Sequence, residues 1–577
     1  MNKFNFIQHI KAASKKIDCD LVIKNISIID VFMQDTYVND VAIKDGYIIG
    51  IGNYNGKIEI DGKNKYITPG FIDAHIHIES SLTTPYEYAK AALMHGVTTA
   101  IADPHEIANV LGTDGINFII ENSKNIPFDF YFMLPSCVPA TYFENSGATL
   151  NSYDLKNFYS SPRILGLAEV MNFPAVSECD EDMIAKLLDA RINKKRIDGH
   201  ASGLTGDAIN IYAAANIRTD HECISSSEAI EKLRRGMYIL MREGTSAKNL
   251  KELLPIINEG NSRKICFCTD DKHIDDLIKN GSIDYSVRYA IKKGINPACA
   301  LQIASLNAAE CYKLDNLGAI APGYRADFLI LNNLEEVNIQ QVYKNGKLVV
   351  DNNKVVIEEH QNTNFSPVNN SINIPPLNKD SFKINLKDKN FLNVMELTSN
   401  KLETNHLRIN ISNYTDTDFK SDINEDILKT AVIERHHNTG NIGLGLLKGI
   451  NLKEGAIATT IAHDSHNLII CGTNDNDMIF AAESLKEMGG GIIIVKNNTI
   501  LASVKLEIAG LITRRPVNEL LADLEKLHSV INKIAPNINF NPFLTLSFIS
   551  LPVIPDLKIT DKGLFDVKNL KFIPVSE

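Results

Sequence analysis

The stretch PGFIDAHIHIESS, residues 69–81, places two histidines at the end of a short apolar run. The run is typical of a buried β-strand, in which the side chains of residues i and i+2 point to the same side. The imidazoles of His75 and His77 can therefore reach the same ion. Because imidazole is the commonest metal ligand in proteins, the pattern indicates a metal site at the end of this strand.

The residues that follow this stretch alternate β-rich apolar segments with helical patterns. One of the helical patterns has Ile184, Leu187, Leu188 and Ile192 at 3.6-residue spacing. About 250 residues of repeating strand and helix is the size of a (β/α)8 barrel. A doubly wound open sheet is the competing architecture, but no glycine fingerprint follows the first strand. We therefore predict an α/β protein with a TIM-like barrel, whose strands lie at 71–77, 97–103, 129–136, 163–170, 196–201, 217–222, 236–243 and 264–271.

Metal-ligating side chains stand at the carboxyl ends of five of these predicted strands. In a parallel barrel the strand ends meet on one face, where the active sites of this fold are built. Four imidazoles and two carboxylates suit Zn²⁺, Fe²⁺ or Mn²⁺, and the absence of thiolates disfavours a closed structural zinc site. The predicted metal ligands are His75, His77, Glu169, His200, His221 and Asp270.

The segments on either side of the barrel are rich in short strands. Asp45-Gly46 and Asp61-Gly62 are hairpin turn signals in the first of them. Because two similar segments flank the barrel, we predict that they form one small β-sandwich domain into which the barrel is inserted. The predicted division is 1–68 and 316–360 for the two parts of this β-domain, 69–315 for the barrel, 361–379 for a linker rich in Asn, Ser and Pro, and 380–577 for a C-terminal α/β domain.

Composition narrows the class of protein. The 577 residues are 44% hydrophobic and 22% charged, which is ordinary for a globular protein, and the formal net charge of -11 argues against binding to nucleic acid. No stretch has the roughly 18 apolar residues of a membrane span, and the N-terminus lacks a secretory signal pattern. Nine scattered cysteines fit reduced thiols. We expect a cytoplasmic enzyme with a small-molecule substrate and no membrane partner.

Several motifs resemble those of one family. The entry Pro-Gly-x-x-Asp followed by His-x-His resembles the first-strand signature of the amidohydrolase superfamily, and Glu169 occupies the position where many members have a carboxylated lysine. A glutamate there resembles the bacterial adenine deaminases. The other segments that resemble this family, and that extend the similarity over nearly the whole chain, are DPHEIANVLG (103–112), IDGHASGLTG (197–206), MREGTSAKNL (241–250) and HDSHN (463–467).

The resemblance implies hydrolysis of adenine to hypoxanthine and ammonia at a binuclear divalent metal centre. Mn²⁺ or Fe²⁺ is the expected metal, and Zn²⁺ is also compatible with the ligands. Glu169 is expected to bridge the two ions, with His75, His77 and Asp270 on one ion. His200 and His221 are expected on the other ion. Asp270 is the expected proton shuttle, because a carboxylate beside activated water can pass its proton to the leaving amine.

The same resemblance suggests residues that contact the substrate. Glu243, which ends the seventh predicted strand, is expected to act on the purine ring nitrogens, or alternatively to form a salt bridge with Arg242 or a lysine. His105 is expected to stabilise the C6 substituent, or alternatively to be a satisfied loop histidine. Asp270, Glu169, Glu243 and His105 are thus the catalytic candidates. Further candidates for substrate contact are Glu106, Ser202, His463 and His466.

The histidines of the C-terminal region have other interpretations. RHHN (435–438) and HDSHN (463–467) form two polar clusters. A loop that closes over the pocket is one interpretation, and a second metal site is another. Hydrogen bonding at the surface or at a domain interface is the interpretation that we favour for each residue taken singly.

Two other functions remain open. One is a different amidohydrolase activity, on a cyclic amide or another aminopurine, which only residues around the metal ligands decide. The other is a catalytically inactive relative that serves as a scaffold or ligand sensor. Whichever of these functions applies, the resemblance to the family implies that the protein is a homo-oligomer, a dimer or larger.

Overall fold

The protein is described here by a computed structural model that covers residues 3–357, 368–369, 371–399, 401–414 and 416–577. After a first helix, the chain forms five strands that belong to one large sheet. Asp45 and Gly46 connect the second and third of these strands as an antiparallel hairpin, and both have the positive φ that such a turn requires. The bounds are α1 (Lys3–Ala13), β1 (Cys19–Asp30), β2 (Asp35–Lys44), β3 (Tyr47–Ile51), β4 (Gly56–Asp61) and β5 (Tyr66–Pro69).

The next eight strands are parallel to their neighbours, and five of them carry or shortly precede the predicted metal ligands. They form two hydrogen-bonded sheets, one of five strands (β6–β10) and one of three (β11–β13). Each of the eight predicted segments contains one of these strands. The bounds are β6 (Phe71–Ile76), β7 (Val97–Ala102), β8 (Asp129–Leu134), β9 (Ile164–Val170), β10 (Arg196–Gly199), β11 (Thr219–Asp220), β12 (Tyr238–Arg242) and β13 (Ile265–Cys268).

Backbone hydrogen bonds join these two sheets at both ends. Beyond β13, Asp270 N donates to the carbonyl of His75 in β6 over 2.9 Å. At the other junction between the two sheets, where β10 meets β11, Arg218 N donates to the carbonyl of Ile197 in β10 over 3.1 Å. The carboxyl ends of β6 and β13 therefore lie side by side although about 190 residues separate them in the sequence.

Helices follow most of these strands. The sequence between β9 and β10 forms a helix as predicted, and Asp180 caps it by accepting a hydrogen bond from Met183 N. Its buried face contains Met183 and Leu187, whereas Leu188 and Ile192 of the predicted apolar stripe are exposed. The bounds are α2 (Pro85–Met94), α3 (His105–Asn122), α4 (Ser152–Leu155), α5 (Phe173–Ser177), α6 (Glu181–Ile192), α7 (Asp207–Ala214), α8 (Ser226–Arg234), α9 (Leu250–Leu253), α10 (Ile274–Asn280), α11 (Ile283–Lys292), α12 (Pro297–Ile303) and α13 (Leu306–Tyr312).

Four further strands return to the sheet that β1–β5 began. Its strand order is β17-β16-β15-β14-β5-β1-β2-β3, with β4 also paired to β1. Strands from both flanks of β6–β13, the region predicted to be a barrel and called the barrel region below, therefore share one nine-stranded sheet. The two flanks meet where β14 pairs antiparallel with β5, Phe328 opposite Pro69. The bounds are β14 (Phe328–Asn333), β15 (Asn338–Lys344), β16 (Lys347–Asp351) and β17 (Lys354–Val355).

The C-terminal region contains an eight-stranded sheet of order β19-β18-β21-β20-β23-β22-β24-β25 and a small three-stranded sheet. Residues 361–367 and 370 of the predicted linker lie outside the described residues. Val368, Ile372 and Ile374 of the same segment are buried. The bounds are β18 (Phe391–Leu397), β19 (Thr404–Asn410), β20 (Ile427–Ile433), β21 (Ile442–Lys448), β22 (Ala456–Thr459), β23 (Leu468–Gly472), α14 (Asp475–Met488), β24 (Gly491–Lys496), β25 (Thr499–Lys505), α15 (Val517–Ile534), α16 (Pro542–Phe548), β26 (Leu557–Thr560), β27 (Gly563–Asp566) and β28 (Lys571–Phe572).

The C-terminal region packs directly on the face of the barrel region where strands end. Thr513 N donates to the carbonyl of Leu82 over 2.9 Å, and Asn467 Nδ2 donates to the carbonyl of Asn145 over 2.7 Å. Among the described helices, none has both the length and the apolar character needed to cross a bilayer. The structure is a mixed α/β fold, as predicted, in which the C-terminal region covers the face formed by the carboxyl ends of β6–β13.

Candidate active site

The strand ends bring all six predicted metal ligands into one buried group. We call this group the barrel cluster. Five of its side chains are buried and one, that of His200, is half-buried. Each side chain is carried at or just beyond the carboxyl end of its strand, where a parallel arrangement directs functional groups toward one face. The members are His75, His77, Glu169, His200, His221 and Asp270.

Glu169 lies between two pairs of imidazoles. Its Oε1 is 3.3 Å from His77 Nε2 and 3.9 Å from His75 Nε2. Its Oε2 is 2.7 Å from His200 Nδ1 and 3.2 Å from His221 Nε2. Burial alone would raise the pKa of Glu169, but hydrogen bonds from His200 and His221 hold the pKa well below its ordinary value. One ionised carboxylate therefore serves two imidazole pairs, one with each oxygen.

Asp270 connects the first imidazole pair to a guanidinium group. Its Oδ1 is 3.0 Å from His77 Nε2 and 3.4 Å from His75 Nε2. Arg242 Nη1 donates to Asp270 Oδ2 over 2.5 Å and also to Glu222. Although burial opposes ionisation, the Arg242 charge and the two imidazoles hold the pKa of Asp270 well below its ordinary value. The carboxylate is thus ionised and fixed at both oxygens.

The hydrogen bonds of the histidines fit a divalent metal. His77 Nδ1 is 3.1 Å from the carbonyl oxygen of Asp103, which can only accept, so Nδ1 carries a proton and Nε2 is the nitrogen directed at the carboxylates of Asp270 and Glu169. The buried Nε2 of His75 has no hydrogen-bond partner among the described residues. Both nitrogens are available as ligands. A buried set of imidazoles and carboxylates directed at one another is the kind of ligand set that Zn²⁺, Fe²⁺ or Mn²⁺ binds.

Two functional side chains escaped the sequence reasoning, namely Arg242 and Glu222. The seventh strand was expected to end at Glu243, but β12 ends at Arg242. Because neighbouring residues of a strand face opposite sides, Arg242 at the end of β12 lines the site and the next residue, Glu243, points away from it. Glu243 does not line the pocket and forms an ion pair of 3.0 Å with Lys248. The salt bridge with a lysine, one of the two alternatives for Glu243, is therefore present.

The start of α3 adds His105 to the barrel cluster. His105 Nδ1 is 2.9 Å from Asp103 Oδ2 and 3.3 Å from Glu169 Oε1. Burial lowers the pKa of His105, but the neighbouring carboxylates, Asp103 first, raise it well above its ordinary value. A buried cationic imidazole therefore lies beside Glu169. Ser202, by contrast, is exposed and does not line the pocket.

Glu106 joins the barrel region to the C-terminal loop between β22 and β23. Its Oε1 is 2.7 Å from His463 Nδ1, and its Oε2 accepts a hydrogen bond from His466 Nε2. His466 Nδ1 accepts from Ala462 N over 3.2 Å, and burial lowers the pKa of His466 to about 4. The neutral ring therefore carries its proton on Nε2. We call Glu106, His463 and His466 the interface cluster.

The second polar cluster of the C-terminal region holds this loop in place. The Nε of buried Arg435 donates to the carbonyl of His466, and His436 Nε2 donates to the carbonyl of Ser465 over 2.8 Å. Asn467 contacts Asn145 on the barrel side. These contacts fix the backbone of residues 462–467 against both regions.

The pocket beside the barrel cluster has a polar side and an apolar side. The polar side is formed by the members of the barrel cluster other than His75, together with Arg242, Glu222 and His105. Asp464, from the C-terminal loop, lines the same pocket, and burial raises its pKa to about 6. The apolar side consists of Met171, Leu402, Phe548, Leu551 and Ile554. Four of these five apolar residues belong to the C-terminal region.

Comparison with known proteins gives matches over both regions. The profile described as "Amidohydrolase family" matches residues 66–349, and the profile described as "Adenine deaminase C-terminal domain" matches residues 401–571. The chain is 48% identical over 573 residues to a protein named adenine deaminase from Geobacillus kaustophilus, with 98% of each chain covered. It is 48% identical over 576 residues to a protein of the same name from Bacillus subtilis, covering 99% of this chain and 100% of the relative.

Solved structures give a partial match. The crystal structure of a beta-aspartyl dipeptidase from Fervidobacterium islandicum has a TM-score of 0.45 and 16% identity, covering 60% of this chain and 99% of that one. A D-hydantoinase structure has a TM-score of 0.45 and 16% identity, covering 58% of this chain and 96% of that one.

Proposed function

The chain belongs to the adenine deaminases of the amidohydrolase family, and from this membership we propose that it hydrolyses adenine to hypoxanthine and ammonia. The resemblance read from the sequence motifs is thereby confirmed. The observation that carries the chemistry is the position of Glu169 between two pairs of imidazoles. The substrate follows from the family, because full-length relatives at 48% identity are named for this activity.

We propose a binuclear site within the barrel cluster. His75, His77 and Asp270 would hold one ion, His200 and His221 the other, and Glu169 would serve both. Mn²⁺ or Fe²⁺ is our preferred metal, and Zn²⁺ also suits the nitrogen and oxygen ligands. A divalent metal bound here lowers the pKa of water and so supplies a nucleophile at neutral pH.

Asp270 is the group to which we assign proton transfer. In the balanced reaction the water oxygen bonds to C6 and the bond from C6 to the amino nitrogen breaks. One water proton leaves with the amino group as ammonia, and the other ends on N1 of hypoxanthine. Asp270 can carry the first proton because its Oδ1 lies beside His75 and His77, where the water must react. Arg242 orients the same carboxylate through Oδ2.

His105 is our candidate for stabilising the C6 substituent. It is buried, it lies 3.3 Å from Glu169, and the carboxylates around it favour its cationic form. A cationic imidazole placed there can donate a hydrogen bond to the atom that becomes the C6 oxygen. We assign no substrate contact to Glu243 or Ser202, because neither lines the pocket.

The architecture supports three further proposals. The hydrogen bonds at both junctions between the two sheets support closure of β6–β13 into one (β/α)8 barrel. The shared nine-stranded sheet supports our division into a barrel, 69–315, inserted in a small β-domain, 1–68 and 316–360. We also keep the C-terminal α/β domain, 380–577, and a homo-oligomeric assembly as proposals.

The test is ammonia release by the Mn²⁺-loaded protein. We expect ammonia and hypoxanthine in equal amounts from adenine, and no hydrolysis of hydantoin or dihydroorotate, which represent the alternative cyclic-amide activity. Hydrolysis of hydantoin or dihydroorotate without adenine turnover would replace adenine by a cyclic amide. Absence of all three reactions in a protein that retains its metal would favour a catalytically inactive relative.

A further inference from the structure

Asp464 is a buried carboxylate in the pocket, and no group in the described part of the chain satisfies one of its oxygens. Only 3% of the residue is exposed, and its Oδ2 has no hydrogen-bond partner among the described residues. Its Oδ1 is 3.9 Å from His105 Nε2 and 3.9 Å from His463 Nδ1, beyond hydrogen-bonding distance. Because an unsatisfied buried carboxylate is costly, the structure requires an explanation for Asp464.

The other carboxylates that line the pocket already have partners. Among the described residues, Asp464 is therefore the lining carboxylate whose fully buried oxygen has no hydrogen-bond partner. The partners are Arg242 for Glu222, Arg242 and two imidazoles for Asp270, Ser80 for Asp271, His463 and His466 for Glu106, and two pairs of imidazoles for Glu169.

The loop that carries Asp464 is fixed on both sides. Ala462 and His466 are joined by a hydrogen bond, His466 is bonded to Glu106, and Asn467 is bonded to Asn145. Asp464 is therefore held facing the pocket rather than free to turn toward a protein partner. Fixed polar groups of this kind provide specificity with little loss of entropy on binding.

The pocket is complementary to a purine base. The two faces of a purine are apolar, and Phe548, Met171 and Leu551 supply apolar surface. C6 must lie at the barrel cluster, so the N9–H at the opposite end of the purine points away from it. His105 Nδ1 is 3.3 Å from Glu169 Oε1 and His105 Nε2 is 3.9 Å from Asp464 Oδ1, so the His105 ring lies between the two carboxylates. A purine that lies alongside this ring, with C6 at the barrel cluster, would direct N9 toward Asp464.

We propose that Asp464 is a specificity residue that accepts the N9–H of adenine. This inference rests on the proposed function and extends it, because it names the part of the substrate that the C-terminal domain contacts. A hydrogen bond from N9–H to Asp464 selects free purine bases over bases substituted at N9. A site built to accept an N–H discriminates strongly against a substrate without that group, because the buried acceptor is then left unpaired.

The test compares adenine with 9-methyladenine in the Mn²⁺-loaded holoenzyme and in Asp464→Ala. For adenine we expect the variant to have a higher KM and a kcat/KM lower by about 10- to 100-fold, as for a lost hydrogen bond to a charged group. Turnover of 9-methyladenine, already poor in the wild type, should change little. The preference for adenine should therefore narrow, and the dissociation constant of hypoxanthine, measured by calorimetry, should rise by a similar factor.

Two further variants make the test specific. Asp464→Asn keeps the shape and one acceptor oxygen without the charge, so an intermediate loss is expected, and it replaces the alanine variant if that one does not fold. Ser465→Ala changes the next residue, whose side chain does not line the pocket, and should keep the wild-type KM. Metal content should be unchanged in all three variants.

The outcomes separate the two proposals. An unchanged KM for adenine in both Asp464 variants, or an equal loss for adenine and 9-methyladenine, would overturn the role of Asp464. A wild-type enzyme that releases no ammonia from adenine would overturn the proposed function instead, and the binding constant of hypoxanthine would still decide on Asp464.

Discussion

The barrel cluster and the interface cluster are built from the same groups, carboxylates surrounded by imidazoles. One histidine from each, His77 and His466, shows how they differ, namely in the contact made by the ring nitrogen Nδ1. In the barrel cluster, His77 Nδ1 donates to a backbone carbonyl, which leaves Nε2 free to bind an ion. In the interface cluster, His466 Nδ1 accepts from a backbone N–H, so Nε2 carries the proton and donates to Glu106. The comparison shows that the partner of Nδ1 decides whether such a histidine can be a ligand.

This difference argues against a second metal site in the C-terminal loop. Binding of a metal to His466 Nε2 would displace the proton that Glu106 now accepts and would leave the ring without a proton on either nitrogen. The interface cluster is better explained as a buried hydrogen-bonded link that docks the C-terminal loop onto α3. It matches the interpretation that we favoured from the sequence, namely hydrogen bonding at a domain interface.

The largest expected effect comes from Glu169→Gln, which tests the barrel side of the comparison. An uncharged amide offers one oxygen acceptor where the carboxylate serves two imidazole pairs. We expect both metal content and activity to fall, with kcat/KM lower by about a thousandfold, or about 4 kcal/mol in the barrier. Metal is measured by plasma mass spectrometry after reconstitution with Mn²⁺. Normal metal with normal activity would contradict the bridging role.

The same chemical change at Glu106 tests the interface side. We expect Glu106→Gln to retain full metal content, because no ion depends on this carboxylate. Activity should fall by about 10- to 100-fold, because the loop with Asp464 loses part of its anchoring. The free energy of unfolding should fall by about 1–3 kcal/mol, the cost of a weakened buried hydrogen bond to a charged group. Loss of metal comparable to that of Glu169→Gln would show that the two clusters do not differ as described.

A smaller effect is expected at Lys558, which holds two residues of the apolar side of the pocket in the C-terminal region. Its Nζ donates to the carbonyls of Leu402 over 2.7 Å and of Phe548 over 3.2 Å. Burial lowers the pKa of Lys558 to about 7, whereas the unfolded value is about 10.4. Between these two values the unfolded chain binds more protons, so the free energy of unfolding rises with pH in this window.

Lys558→Met should remove that contribution. From pH 7 to pH 9 the wild type should gain about 2 kcal/mol more than the variant in denaturant unfolding, since one pKa unit corresponds to about 1.4 kcal/mol. Equal pH dependence of the two proteins would mean that Lys558 titrates normally in the folded state.

The smallest effect is expected at Glu243, which tests whether the residue after Arg242 belongs to the site around the barrel cluster. Its carboxylate pairs with Lys248, whose side chain is 45% exposed, and it lies outside the pocket. We expect Glu243→Gln to change kcat/KM by less than about threefold and stability by less than about 1 kcal/mol. A loss of tenfold or more in kcat/KM, at unchanged stability, would show that Glu243 contributes to the active site after all.

The strand ends were predictable because they depend on local patterns. Short β-rich apolar runs located each of the eight strands, and the His, Glu or Asp residues at the ends of five of them brought His75, Glu169 and Asp270 into consideration together. Turn chemistry was less reliable. Asp45-Gly46 forms a hairpin, but Asp61-Gly62 does not, because β4 and β5 both pair parallel with β1. A turn signal shows where a chain bends and not which strand it pairs with afterwards.

What the sequence determined by itself is the set of strands and the residue types at their ends, since both follow from the period of the side chains along a strand. The tertiary structure decided the rest. It decided that Arg242 rather than Glu243 faces the site, that a backbone N–H meets His466 Nδ1, and that Asp464 reaches a pocket whose proposed metal ligands begin almost 400 residues earlier. These features depend on contacts between distant segments, and no local periodicity encodes which atoms meet there.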